Sequence, residues 1–101
     1  MLKIFKIRGN SLYPDFQNGD FVLVARSPFP YIRMKVGDVI AFHKADHGLM
    51  IKRIHALTER YKTLEVRGSV IESVDSRSFG PISKKDVIGK IIWHIPQPRT
   101  G

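Results

Sequence analysis

The sequence predicts an all-β fold, a single compact domain with a barrel-like or coiled β-sheet. Three observations carry that prediction. Apolar residues recur with period two or in short unbroken runs, no stretch sustains a helical period, and Gly, Pro and Asp punctuate the chain. Short strands joined by such turns close most readily into a small barrel or a coiled sheet.

The strands follow in order. Lys3 to Arg8 alternates, placing Lys3, Phe5 and Ile7 on one face and Ile4, Lys6 and Arg8 on the other. Phe21 to Ala25 is a continuous apolar run, the pattern of a strand buried on both faces. After the Val36-Gly37-Asp38 turn, Val39 to His43 forms a third strand. The Asp46-His47-Gly48 turn then leads into Leu49 to Leu57, which suits a hairpin with the strand before it. Lys62 to Arg67 alternates again, with Leu64 and Val66 on one side, and the β-branched and aromatic run Val87 to Ile95 completes the set. Residues 1–95 are expected to form the domain and Pro96 to Gly101 a flexible C-terminal tail.

Composition narrows the classes of function. A chain of 101 residues with 43% apolar content supports one modest core. The absence of cysteine excludes disulfides, thiolate catalysis and Cys-based zinc sites. His43, His47, His55 and His94 fit no zinc-binding spacing, so neither metal nor cofactor is expected. No run approaches the roughly 18 apolar residues of a membrane span, and the N-terminus lacks the layout of a signal peptide. The expectation is a cytoplasmic protein without a transmembrane anchor. The charge of +8, from 17 Lys and Arg against 9 Asp and Glu, favours anionic partners. Those cations are scattered along the chain, without the dense block of a nucleic-acid tail, so no specific nucleic acid is expected.

Two residues stand out chemically. If Leu49 to Leu57 is a strand, Met50, Lys52, Ile54 and Ala56 share a face, making Lys52 the lone charge in an apolar row. Burial penalises an ammonium and lowers its pKa from about 10.4, which is what a lysine needs to act as a base. The alternative is a solvated lysine on an edge strand. Ser11 lies in the turn Gly9-Asn10-Ser11, where a serine ordinarily bonds to nearby backbone. As a nucleophile it would need a base, and its own N–H could serve the oxyanion of a tetrahedral intermediate, with Gly9 easing the backbone approach.

In combination these segments resemble a known family. Gly9-Asn10-Ser11-Leu12-Tyr13-Pro14 with Gly19-Asp20 resembles the Gly-x-Ser-Met-x-Pro…Gly-Asp box of the signal peptidase I (S26) serine proteases. Gly37-Asp38-Val39-Ile40-Ala41-Phe42 resembles their Gly-Asp-Val-Val-x-Phe strand, and Ile51-Lys52-Arg53-Ile54 the box of their general-base lysine. Asp75-Ser76-Arg77-Ser78-Phe79-Gly80-Pro81, then Ile88-Gly89-Lys90, resembles their Asp-Ser-Arg-x-x-Gly box and closing strand. Order and spacing agree over residues 5 to 95.

The resemblance implies the S24/S26 catalytic-core fold and a serine endopeptidase with a Ser/Lys dyad. Ser11 would be nucleophile and Lys52 general base, with Gly9, Asn10, Ser73, Asp75 and Arg77 in support. Ser73 would orient the lysine, and Asp75 with Arg77 would brace the adjoining loop through a salt bridge. Within the family, the Val74 to Pro81 string is most similar to the small nickel-type superoxide dismutase maturation proteases, which lack a membrane anchor. That implies a protein substrate with an N-terminal leader. Leu12 replaces the usual methionine, and Gly68-Ser69-Val70 stands where the family has Gly-Asp-Asn. Phe29, Pro30, Tyr31 and Ile32 form an apolar loop suited to packing, to substrate or to peripheral membrane contact. Competing readings are an S24-like self-processing domain and an inactive basic β-domain that binds nucleic acid or an acidic partner.

Overall fold

The computed structural model describes residues 2–9, 12–26, 34–58, 63–68 and 74–98. The all-β expectation holds. Strands β1 (Leu2–Lys6), β2 (Phe21–Arg26), β3 (Val39–Lys44), β4 (Gly48–Thr58), β5 (Thr63–Arg67), β6 (Ile82–Ser83) and β7 (Val87–Ile95) form one antiparallel sheet in the order β1-β2-β7-β3-β4-β5-β6. The sheet is open, with β1 and β6 as its edges, so it is not a closed barrel. Alternation specifies which residues share a face; it carries no information on whether edge strands meet.

Most expected strands appear within a residue or two of their expected limits. The β3–β4 hairpin forms through the turn at Asp46 to Gly48, where Asp46 (φ 74°) and Gly48 (φ 76°) both take left-handed backbone. The structure adds the two-residue β6, a single-turn helix α1 (Ser76–Phe79) and a 3-10 turn over Lys84–Asp86, all too short to show a period in sequence.

One burial expectation shifts. In β2 only Val22 and Val24 are fully buried, whereas Phe21 and Leu23 are partly exposed. The strand buried on both faces is β3, which lies between β7 and β4. Its Val39 and Ala41 join a core with Ile7, Leu12, Phe16, Val22 and Val24. Its Ile40 and Phe42 join a second core with Ile54, Leu64, Val66 and Ile82. The doubly buried strand therefore couples the two cores.

Between β1 and β2 runs the loop that carries the Gly9 to Pro14 segment. Its neck is closed by hydrogen bonds from Ile7 N–H to Asp20 O (2.7 Å) and from Gly19 N–H to Ile7 O (2.9 Å). Leu12 and Phe16 anchor the loop in the first core. At the other end of the chain, Gln97 N–H donates to the carboxylate of Asp20 at 3.1 Å, holding the segment just past β7.

Candidate active site

Lys52 sits on β4 opposite Ile40 of β3, two residues before Ile54, which opposes Val66 of β5. Alternation directs it inward among these apolar neighbours, and it is 4% exposed. The face expected for it is therefore the one it occupies, while His55 on the reverse face is exposed. Burial pushes the Lys52 pKa below its ordinary value. Asp75 opposes that shift by favouring the charged ammonium, and Arg77 adds to it by repulsion. Among the described residues the Lys52 ammonium makes no hydrogen bond or ion pair.

Lys52 opens onto a groove of about 330 Å³ between the first loop and the β3–β4 hairpin. Ile7, Leu12, Met50 and Ile51 give it apolar walls, and Lys6, Arg8 and His47 give it basic ones. Leu12, the residue that follows Ser11, is 3% exposed and shares this groove with Lys52. Ser11, Asn10 and Ser73 lie outside the described residues, as do Phe29 to Ile32. Gly9 takes φ +83° and donates its N–H to Asn18 Oδ1 at 2.9 Å. A Cβ there would meet nothing within 4 Å, so glycine serves backbone conformation at this position rather than close approach.

Asp75 and Arg77 form the expected salt bridge. The Arg77 Nε and Nη2 donate to the two carboxylate oxygens of Asp75 at 3.0 and 2.7 Å. Asp75 is wholly buried and also caps α1, accepting from the N–H of Arg77 at 3.0 Å and from that of Gly68 at 2.9 Å. That single carboxylate thus joins the end of β5 to the start of α1, and it acts electrostatically on Lys52 as well. Ser76 adds a second seam: Val66 N–H donates to its Oγ (3.0 Å), and the Oγ donates to Val66 O (2.8 Å).

Two contacts around the site escape sequence reasoning. Arg53 donates to Asp15 (2.9 Å) and to Gly37 O (2.9 Å), tying β4 to the first loop and to the turn before β3. His94 Nε2 lies 2.8 Å from the carboxylate of the buried Asp20, joining β7 to the neck of that loop. No local pattern signals either pair; the one hint is an acidic residue beside a turn glycine at Gly19-Asp20.

Comparison with known proteins shows the family. Residues 1–59 match the family model described as signal peptidase, peptidase S26. That stretch contains both Ser11 and Lys52 and ends before Asp75. The chain is also 31% identical over 100 residues to signal peptidase I V of Bacillus subtilis (strain 168). The alignment covers 84% of this chain and 60% of the relative, so the chain spans less than two thirds of that protein's length.

Proposed function

The chain belongs to the signal peptidase, peptidase S26, family, and on that premise we propose that it is a serine endopeptidase working through a Ser11/Lys52 dyad. The observation that carries this reading is the burial of Lys52 at the wall of a groove, with its pKa lowered by that burial. A neutral amine takes the proton from the Ser11 hydroxyl as the oxygen attacks the scissile carbonyl. The N–H of Ser11 donates to the resulting oxyanion. Lys52 then gives its proton to the departing amine, and the acyl-enzyme forms. In the second half Lys52 removes a proton from water, which attacks the ester, and returns that proton to the Ser11 oxygen as it leaves, restoring the free hydroxyl and the neutral amine.

Asp75 and Arg77 act as positioning residues, bracing the chain beside Lys52, and Ser73 orients the amine. Residues 1–95 form the peptidase domain. The substrate is a precursor with an N-terminal leader, and the Val74 to Pro81 string favours the precursor of a nickel-type superoxide dismutase, processed in the cytoplasm. The groove's apolar walls suit an extended apolar segment of such a leader.

Incubating the purified chain with that precursor, and following the products by mass spectrometry, tests the reading. A single cut that releases the leader, lost in Ser11→Ala and in Lys52→Ala with both variants folded, is the expected result. Cleavage that persists in either variant removes the dyad. Scission of the chain itself would instead indicate an S24-like reaction.

A further inference from the structure

Beside β4, away from the groove at Lys52, a second cavity of about 250 Å³ is lined by Arg53, Ile54, His55, Arg67 and Gly68. Three of its five lining residues, Arg53, His55 and Arg67, are basic, and none is acidic. Arg53 and Arg67 oppose each other directly in the β4–β5 ladder. Like charges in that position repel, and no lining residue offsets them.

The two arginines differ in what they already hold. Arg53 commits one Nη to Asp15 and the other to Gly37 O. Arg67 makes no side-chain hydrogen bond or ion pair among the described residues, and its Nε is buried without a partner. A buried donor of this kind is normally matched, because leaving it unpaired forfeits its hydration. Among the described residues no acceptor meets it, and the basic lining of the cavity favours an anion as its occupant.

We propose that the cavity between Arg53, His55 and Arg67 is a binding site for a phosphate-class oxyanion, separate from the groove at Lys52. Three basic residues on two neighbouring strands line it, which suits an anion carrying more than one charge better than a single carboxylate. The site stands on the β4–β5 ladder whether or not the chain is a peptidase.

Isothermal titration of the whole chain with inorganic phosphate, at constant ionic strength held with chloride, tests the assignment. The ¹⁵N–¹H resonance of Arg67 Nε provides a direct second readout. Saturable one-to-one binding that shifts this resonance is expected. Arg67→Gln should weaken binding about tenfold or more, as should His55→Glu, which places a carboxylate at an exposed position on the rim. O-phosphoserine provides a second arm. Binding of phosphate alone assigns the site to the free ion, and binding of both assigns it to the phosphate group of a larger ligand. Acetate binding as tight as phosphate, a resonance shift that merely follows ionic strength, or unchanged binding in His55→Glu would each overturn the proposal.

Discussion

Arg53 Nη2 lies 2.9 Å from Asp15 Oδ2, joining the residue after Lys52 to the loop that follows Ser11. The two partners are 38 residues apart in sequence, and both are substantially exposed. An exposed pair of this kind contributes less than about 1 kcal/mol to folding. Its leverage is geometric, because a dyad drawn from two distant segments works only when those segments are held in register. Asp15→Ala is therefore expected to leave the urea midpoint nearly unchanged while lowering kcat for precursor cleavage about tenfold. Equal kcat in the two proteins would show that the loop's anchors in the core and the hydrogen bonds at its neck hold it without Asp15.

Lys52 should cost the protein stability. Its folded pKa lies below the unfolded value of 10.5. Between those two values the unfolded chain binds more protons than the folded one, so stability rises with pH across that window. Below the folded pKa the penalty for burying the ammonium is present in full. Lys52→Met fills the space without the charge and is expected to gain about 1 kcal/mol at neutral pH and to lose this alkaline slope. Processing should vanish in the same variant. Urea titrations at neutral and alkaline pH give the stability; a destabilised Lys52→Met would mean that the ammonium is better solvated than its burial implies.

The pair beside Lys52 offers a test by sign. Asp75 raises the Lys52 pKa and Arg77 lowers it. Cleavage by a neutral amine rises with pH as Lys52 loses its proton, giving an acidic limb to the pH profile of kcat/KM. Asp75→Asn removes the stabilising carboxylate and should move that limb to lower pH. Arg77→Gln removes the repelling cation and should move it to higher pH. Asp75→Asn keeps an oxygen for the cap of α1, whereas Asp75→Ala loses the cap and is expected to cost about 1–2 kcal/mol. Shifts in the same direction for Asp75→Asn and Arg77→Gln would indicate a general loosening of the loop rather than electrostatics.

The parts legible in the sequence were those with a local period. The row Met50, Lys52, Ile54 declared its face because alternation persists as far as Ile54, and the turn at Asp46 to Gly48 declared the hairpin. Ala56, expected in the same row, leaves it, because a bulge between Ile54 and Ala56 sets Ala56 opposite Glu65 and Leu57 opposite Leu64. Leu64 and Val66 announced the buried side of β5 in the same way. What could not be read was pairing at a distance. His94 and Asp20 meet from 74 residues apart, and neither carries a mark of the other. The open edges at β1 and β6 were hidden for the same reason. The Asp75 to Pro81 segment could be recognised as a motif, but the cap on α1 and the Ser76 seam to β5 became apparent only in three dimensions.

Gly89 shows how such a distant constraint can be tested. It faces Arg26 of β2 on one side and Ala41 of β3 on the other, at the centre of the sheet. A Cβ at this position would lie 2.7 Å from Val24 Cγ1 and closer still to the carbonyl oxygen of Ala25. Backbone cannot move aside as a flexible side chain can, so Gly89→Ala must spread β2 from β7 near the bulge at Leu23 and Val24. A loss of about 3 kcal/mol is expected from such overpacking. Gly48→Ala supplies the contrast: its Cβ would meet nothing within 4 Å, and only its φ of +76° resists substitution. That conformational strain should cost about 1 kcal/mol. Urea unfolding of the two variants separates crowding from conformation, and a Gly89→Ala loss no larger than that of Gly48→Ala would mean that β2 can yield.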